Sequence, residues 1–264
     1  MNARHTTRLS RITRLALHVA RGLATAAFVF PLQTPQARKN TIQRWSARLL
    51  EILAVRLHLH GEPAACNPLM LVANHVSWLD IFIINAVIPA RFVAKSEIRG
   101  WPLLGWLSER SGTLFIQRAR RRDTARINSE VTAALSSGDV FAVFPEGTTT
   151  DGSTVLKFHS SLLAPALSAN AAIQPVAIRF VRTDGSLCVE AAYDGDKSFW
   201  DSLLEMTTQR SIDAHIWFSA TVLRPAQHRR ELAATAHKAI ALILSPEARR
   251  NHIAQADDLR VSAR

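Results

Sequence analysis

The sequence of 264 residues contains only two cysteines, Cys66 and Cys188, which is too few for a disulfide framework. Neither cysteine has a partner at metal-ligand spacing, so the sequence predicts no metal site. It also lacks internal repeats, low-complexity tracts and a linker rich in glycine, proline or serine within its main body. With 48% hydrophobic and 20% charged residues, the composition is that of a globular chain, which excludes disorder over most of its length.

Long apolar runs are also scarce. The clearest one covers residues 22–32 and is bounded by Arg21 and Pro35. A run of this length is too short to span a membrane, because a spanning helix takes about 20 apolar residues. Basic residues precede the run, as they do in a signal peptide, but no small-residue cleavage site follows it. The sequence therefore predicts a helical segment at a membrane interface rather than a spanning helix.

Acidic residues are rare in the first part of the chain. Residues 1–60 carry ten basic side chains and one acidic side chain, and the formal net charge of the protein is +11. This basic front predicts an anionic partner, which leaves nucleic acid and anionic lipid as candidates. Residues 41–55 favour lipid, because apolar positions and one tryptophan alternate with Arg44 and Arg48 as in an interfacial amphipathic helix. The same apolar stripe also suits a helix packed on the protein's own core.

Short apolar runs alternate with helix-like stretches over the remaining sequence. This alternation predicts an α/β fold with a mainly parallel sheet flanked by helices. We divide the chain into an N-terminal basic amphipathic segment (residues 1–54), one domain of catalytic size (55–250) and a polar tail (251–264). The predicted strands are residues 55–60, 69–73, 92–95, 113–117, 140–144, 173–180, 187–191 and 215–221, and the predicted helices are residues 78–87, 102–108, 124–136, 162–169, 198–206 and 226–244.

The first candidate for chemistry is the loop after the predicted strand 69–73. It holds His75 and Asp80, whose separation of five positions prevents them from sharing one helix face. They can meet if His75 lies in the turn and Asp80 in the first turn of the next helix. Asp80 would then fix the imidazole tautomer and leave the other ring nitrogen to accept a proton from a hydroxyl. Ser77 and Asp80 also match a capping box, in which Asp80 closes the helix start, and both interpretations can hold together.

The second candidate is the loop at residues 144–152, with the sequence FPEGTTTDG. Its hydroxyls and backbone N–H groups could cradle an anion or an oxyanion. It is not a P-loop, because the order Gly-x4-Gly-Lys is absent. The alternative is a glycine-punctuated β-turn over residues 150–152 with no chemical role.

The two loops together resemble the motifs of the glycerolipid acyltransferase family, whose type members are the 1-acylglycerol-3-phosphate acyltransferases. The resemblance rests on His75-x4-Asp80 and on the run from Phe144 to Thr148. It extends from about residue 55 to residue 178, whereas the first 50 and last 80 residues match only loosely. Three further blocks follow the family's order, at residues 92–97, 112–118 and 174–178.

This resemblance implies transfer of an acyl group from acyl-CoA or acyl carrier protein to the hydroxyl of a lysolipid. The donor is a substrate, so no cofactor is implied, and neither is a covalent acyl-enzyme. His75 would be the general base and Asp80 its orienting partner. The implied partners also include an anionic membrane surface and no nucleic acid, at the cytoplasmic face of the inner membrane. Substrate-binding positions implied by the motifs are Arg118 for an anionic head group, Glu146, Gly147 and Thr148 around the acceptor, and Lys95 as a polar contact.

One departure from the family pattern concerns the acceptor. Members that form phosphatidic acid usually read Glu-Gly-Thr-Arg-Ser, and here Thr149 stands where that arginine would be. This variant, with residues 101–106 and 155–162, resembles the lyso-ornithine lipid acyltransferase branch, which acylates the hydroxyl of a 3-hydroxy fatty acid amide-linked to ornithine. Both acceptors stay open at this point. A non-enzymatic basic protein that binds membrane or nucleic acid would explain the charge, but not the His75 loop or the order of the blocks.

Overall fold

The computed structural model describes residues 3–117, 121–224 and 228–245 and has a seven-stranded mixed sheet at its centre. The strands are β1 Val55–His60, β2 Leu69–Ala73, β3 Arg91–Lys95, β4 Leu114–Ile116, β5 Val140–Val143, β6 Ala172–Val181 and β7 Ile212–Phe218. Their order across the sheet is β1-β7-β6-β2-β5-β3-β4. The strands from β6 to β4 run parallel, β7 is antiparallel to β6, and β1 pairs parallel to β7. The predicted mainly parallel sheet is confirmed.

Helices cover both faces of the sheet. Within the described ranges they are α1 Ala3–Ala24, α2 Pro35–Ile52, α3 Leu79–Val87, α4 Ser96–Arg99, α5 Leu104–Arg110, α6 Arg121–Ser136, α7 Ala164–Ser168, α8 Phe199–Met206 and α9 Arg229–Ile243. Buried side chains of α2, α3 and α8 pack on one face, and those of α6, α7 and α9 pack on the other. Strand β2 is buried at all five positions, as expected for a central parallel strand between two helical layers.

The N-terminal helix is longer than the sequence predicted. Beyond Ala24, α1 continues through a π-helical turn, Thr25–Val29, and a 3₁₀ turn, Phe30–Leu32. The helical stretch Arg8–Leu32 has 25 residues and contains an 18-residue window with a mean hydropathy of 1.5, so by length and composition alone it is sufficient to cross a membrane. The run at residues 22–32 is too short by itself, and the helix reaches this length because alanine and leucine residues upstream extend the apolar stretch.

The apolar stripe of α2 faces the protein itself. Leu49, Leu50 and Ile52 are buried in the core cluster that includes α3. The amide of Gln43 donates to the carbonyl of Val87 at the end of α3, at 2.9 Å. Interfacial and core-facing stripes look alike in sequence, and the structure shows the core-facing one here.

One predicted strand is wrong. Residues 187–191 do not form a strand, because Leu187 makes only an isolated bridge and Val189–Ala191 is a 3₁₀ turn. The chain reverses at Gly185, whose φ of +80° suits glycine. Arg182 then pairs with both carboxylate oxygens of Glu190 at 2.8 Å, which draws the segment into a turn.

The predicted helix 162–169 is a 3₁₀ turn, Ser160–Leu163, followed by α7. The predicted tail 251–264 lies outside the described residues.

Candidate active site

The two candidate loops lie at the same edge of the sheet. Strands β2 and β5 are parallel neighbours, so their carboxyl ends lead into the His75 loop and the Glu146 loop side by side. Strand β3 is the next parallel neighbour and ends at Lys95, which is exposed. This edge is where parallel α/β sheets usually bind their ligands. The sheet topology therefore brings together two motifs that are about 70 residues apart in sequence.

His75 and Asp80 meet as the spacing predicted. The imidazole Nδ1 of His75 lies 2.7 Å from Oδ2 of Asp80. Asp80 lies in the first turn of α3 and its side chain is fully buried, whereas the side chain of His75 is 20% exposed. The turn thus places the imidazole toward the surface of the sheet edge with its carboxylate partner behind it.

The contacts of Asp80 define the imidazole tautomer. Its Oδ2 accepts backbone N–H groups from Val76 at 2.8 Å and Ser77 at 2.9 Å in addition to the imidazole contact. An oxygen that accepts these N–H groups also accepts from Nδ1, so the Nδ1 of His75 carries the hydrogen. The other ring nitrogen, Nε2, then presents a lone pair to a substrate. Asp80 therefore makes both contacts that the sequence predicted, one with the imidazole of His75 and one with the backbone N–H of Ser77 at the helix start.

The backbone around His75 is held by five further hydrogen bonds. Oε1 of Glu146 accepts the N–H of His75 at 2.7 Å, and the carbonyl of His75 accepts the N–H of Thr150 at 3.0 Å. The carbonyl of Val76 accepts the N–H of Tyr193 at 2.9 Å. Buried Asn74 exchanges two hydrogen bonds with the backbone of β6, at 2.7 and 2.9 Å. The imidazole is therefore presented by a fixed turn.

Glu146 stabilises the turn at His75 through hydrogen bonds to backbone N–H groups. Both of its carboxylate oxygens are occupied by backbone N–H groups, from His75 and from Leu156, each at 2.7 Å. Burial raises the pKa of Glu146, and these two N–H groups oppose that rise. The sequence prediction placed Glu146 around the acceptor, but its oxygens are turned into the protein and tie three segments of chain together. A loop-to-loop role of this kind has no sequence signal, because the partners are main-chain groups.

We expect Glu146→Gln to destabilise the fold by about 1–3 kcal/mol, because the new amide nitrogen would face a backbone N–H in a buried place. Urea unfolding measures the change, and the transfer rate should fall as the turn loosens. The matched control is Glu231→Gln, which alters an exposed carboxylate in the first turn of α9. Equal stability of the two variants would contradict the bracing role.

The imidazole of His75 stacks on Phe144, with ring centroids 4.0 Å apart and planes at 12°. Sequence reasoning missed this contact, although an aromatic residue directly after a strand was a usable signal. Among the residues that the structure describes, no hydroxyl or thiol hydrogen-bonds to the His75 ring. Burial raises the pKa of the Cys188 thiol to about 11, which keeps this cysteine protonated and therefore weakly nucleophilic near pH 7.

The other predicted binding residues are placed as follows. Gly147 has a φ of +76°, which explains the need for glycine where the loop turns after Glu146. Thr148 is exposed, and the hydroxyl of Thr149 donates to the carbonyl of Tyr193. Arg118 lies outside the described residues, two positions after the end of β4.

A buried carboxylate beside a partly exposed imidazole at the carboxyl edge of parallel strands is an arrangement that can perform general-base chemistry on a hydroxyl group. Comparison with known proteins specifies the chemistry. Residues 56–179 match the protein-family model described as Acyltransferase. The chain is 39% identical over 242 residues to the lyso-ornithine lipid O-acyltransferase of Pseudomonas aeruginosa, covering 89% of this chain and 93% of that one. It is 35% identical over 195 residues to the 1-acyl-sn-glycerol-3-phosphate acyltransferase of Neisseria meningitidis, covering 71% and 73%.

The fold agrees with these relatives. The crystal structure of the 1-acyl-sn-glycerophosphate acyltransferase of Thermotoga maritima superposes with a TM-score of 0.65 and covers 90% of this chain and 96% of that one, at 22% identity. The chain belongs to the acyltransferase family, and it is an acyltransferase.

Proposed function

We propose that the protein transfers an acyl group from a thioester to the hydroxyl of a lysolipid, with His75 as the general base. The observation that carries the proposal is the 2.7 Å contact of Nδ1 with buried Asp80, which leaves Nε2 to accept the hydroxyl proton. The lipid oxygen forms a bond to the acyl carbon, the carbon–sulfur bond breaks, and the imidazolium returns the proton to the departing thiolate. Asp80 stabilises the imidazolium while it exists.

The donor is acyl-CoA or acyl carrier protein. A thioester is already activated, so the reaction needs positioning of two reactants and removal of one proton rather than a cofactor. Arg118, Thr148 and Lys95 remain the proposed contacts for the substrates, on the strength of the family motifs and, for Thr148 and Lys95, of their exposure at this edge of the sheet.

The proposed acceptor is lyso-ornithine lipid. Thr149 supports this choice, because it occupies the position of the second guanidinium in the phosphatidic acid-forming pattern and turns its hydroxyl to the carbonyl of Tyr193. A phosphate monoester carries nearly two negative charges and gains from paired guanidinium groups, whereas the ornithine head group has one carboxylate. The similarity to the Pseudomonas aeruginosa protein over nearly its whole length adds support. The second candidate, 1-acylglycerol-3-phosphate, is supported by the Neisseria meningitidis relative.

An acceptor panel tests this choice. With one acyl donor, we expect kcat/KM for lyso-ornithine lipid to exceed that for 1-acylglycerol-3-phosphate by about tenfold, the worth of one charge-assisted contact of 1.4 kcal/mol. Thr149→Arg should raise use of the phosphate acceptor by a similar factor. Thr148→Arg, which adds the same charge at the exposed neighbouring position, is the control. A wild-type preference for the phosphate acceptor would overturn the assignment.

We place the protein at the cytoplasmic face of the inner membrane. Three features support the placement: the apolar stretch Arg8–Leu32, the basic excess of residues 1–60 and a lipid acceptor that resides in the bilayer.

A further inference from the structure

The phenyl ring of Phe144 covers one face of the His75 imidazole. The two ring centroids are 4.0 Å apart, and the ring planes are 12° from parallel. Asp80 contacts the same imidazole at its edge, where Oδ2 lies 2.7 Å from Nδ1. These contacts occupy one face and one edge of the imidazole, and they leave the Nε2 edge for a substrate hydroxyl. Phe144 and Asp80 thus act on the proposed base from different directions.

The main chain and a second aromatic ring hold Phe144 in this place. Phe144 follows the last residue of β5, and Val143 of β5 is paired in parallel with Val72 of β2, so the residues that follow the two strands emerge side by side. The next residue is a proline, which restricts Phe144 to extended backbone conformations. The carbonyl of Phe144 accepts the N–H of Gly147 at 3.1 Å. Its ring lies nearly parallel to that of buried Phe92, with centroids 6.1 Å apart. The ring is therefore fixed before any substrate binds.

The electrostatics of the stack change when His75 accepts a proton. The face of a phenyl ring carries negative potential and attracts a cation within about 6 Å of its centroid. A neutral imidazole has no net charge to be attracted, whereas the imidazolium that forms during proton transfer has one. The attraction is thus stronger in the transition state than in the ground state, which is the condition for an effect on rate. Solvent screens it little, because the side chain of His75 is only 20% exposed.

A second stack in the molecule shows what a purely structural contact looks like. His18 of α1 stacks on Trp45 of α2, with ring centroids 4.6 Å apart. Its Nε2 lies 3.0 Å from the carbonyl of Trp45, and the indole N–H of Trp45 donates to the carbonyl of His18 at 3.3 Å. That imidazole is tied to the backbone of its neighbour. The imidazole of His75 differs, because it has a buried carboxylate at Nδ1 and, among the described residues, no hydrogen-bond partner at Nε2.

We propose that Phe144 is a positioning residue for acyl transfer, whose ring face fixes the plane of the His75 imidazole and stabilises its imidazolium form. The inference rests on the proposed function, because His75 must be the base. The proton passes from the acceptor hydroxyl to Nε2 and leaves with the thiolate, so Phe144 gains and loses no atom.

Two substitutions test the need for an aromatic ring. Phe144→Leu keeps an apolar side chain and removes the ring face, and we expect the rate of a single turnover to fall about tenfold. KM for both substrates should change less than about twofold, because neither binds to Phe144. Phe144→Tyr keeps the ring and should retain the rate within about twofold. The control is Phe158→Leu, since buried Phe158 meets the ring of His237 edge-on at 5.1 Å and should leave the rate unchanged.

Ring fluorination separates electrostatics from packing. Phenylalanine with one, two or three ring fluorines at position 144 keeps the shape of the side chain but withdraws electron density from its face. We expect the single-turnover rate to fall with each fluorine, to about three- to tenfold below wild type with three. The same series at Phe158 should leave the rate within about twofold of wild type. A rate that stays constant along the Phe144 series, or that falls equally at both positions, would overturn the proposal.

A measurement without turnover separates this inference from the proposed function. Nitrogen-15 NMR follows the pH at which the imidazole of His75 takes up a proton in the wild-type and fluorinated proteins. The charged groups that act on this imidazole, Asp80 and Glu146, are the same in all of them. We expect three fluorines to move the midpoint about 0.5–1 pH unit lower, which corresponds to the three- to tenfold change in rate. An unchanged midpoint would contradict the role of Phe144, whereas a shifted midpoint in a protein without acyl transfer would count against the proposed function alone.

Discussion

His75→Ala is expected to lower kcat for acyl transfer by about 10³-fold, within the 10²–10⁴-fold range of general-base catalysis. The substitution removes the one ring nitrogen that is positioned to accept the hydroxyl proton, while the brace from Glu146 to the backbone of residue 75 remains. KM for both substrates should change little, because the imidazole acts on the proton rather than on head-group binding. The measurement is the rate at saturating acyl-CoA and lysolipid.

A stability measurement and a control variant show whether the loss of activity in His75→Ala comes from the missing imidazole or from unfolding. The ring of His75 stacks on Phe144, so its removal should lower the melting temperature modestly. His228→Ala, at the exposed residue before α9, is the matched control and should keep wild-type activity. A folded His75→Ala protein with activity within tenfold of wild type would refute the assignment of His75 as base.

Asp80→Asn is expected to reduce kcat by about 10²–10⁴-fold, as the loss of an orienting carboxylate does in serine hydrolases. The amide oxygen can still accept N–H groups from Val76 and Ser77, so the start of α3 is retained. What is lost is the negative charge that stabilises the imidazolium in the transition state. The second oxygen of Asp80 is buried without a partner among the described residues, so an amide nitrogen there adds a stability cost of about 1–3 kcal/mol.

The chain contains a matched control for this substitution. Asp201 follows Ser198 by three positions at the start of α8, as Asp80 follows Ser77, and the two side chains are 2.6 Å apart. Asp201 has helix-start contacts but, within the part of the chain that the structure describes, no imidazole partner. Asp201→Asn should therefore leave kcat unchanged. Equal effects of Asp80→Asn and Asp201→Asn would show that Asp80 only closes its helix.

The sequence predicted the parts of the site that depend on local geometry. His75 and Asp80 could be paired in advance because a strand, a turn and a helix start define their separation within six residues. Only the family resemblance implied that the Glu146 loop lies near His75, and the structure explains this proximity because the parallel strands β2 and β5 end on one side. The bracing role of Glu146 could not be predicted, because it depends on backbone N–H groups of His75 and Leu156 in other loops.

The orientation of the N-terminal helices is a second feature that could not be predicted from the sequence. The stripe of α2 has the composition of an interfacial helix, and only the packing of Leu49, Leu50 and Ile52 on the core shows which way it faces. No feature of the sequence distinguishes one arginine of this segment from another. The structure places Arg14, Arg21, Arg44 and Arg48 along one groove between α1 and α2.

In the reaction that we propose, the acyl group passes directly from the thioester to the lipid oxygen while His75 holds the proton. A protein nucleophile would need to lie within hydrogen-bond reach of its base, and the described residues place none beside the ring of His75. The most direct measurement is rapid acid quench of the wild-type enzyme with labelled acyl thioester and lysolipid. We predict label only in the thioester and the diacylated lipid, whereas protein-bound label that forms and decays at the rate of turnover would contradict the account.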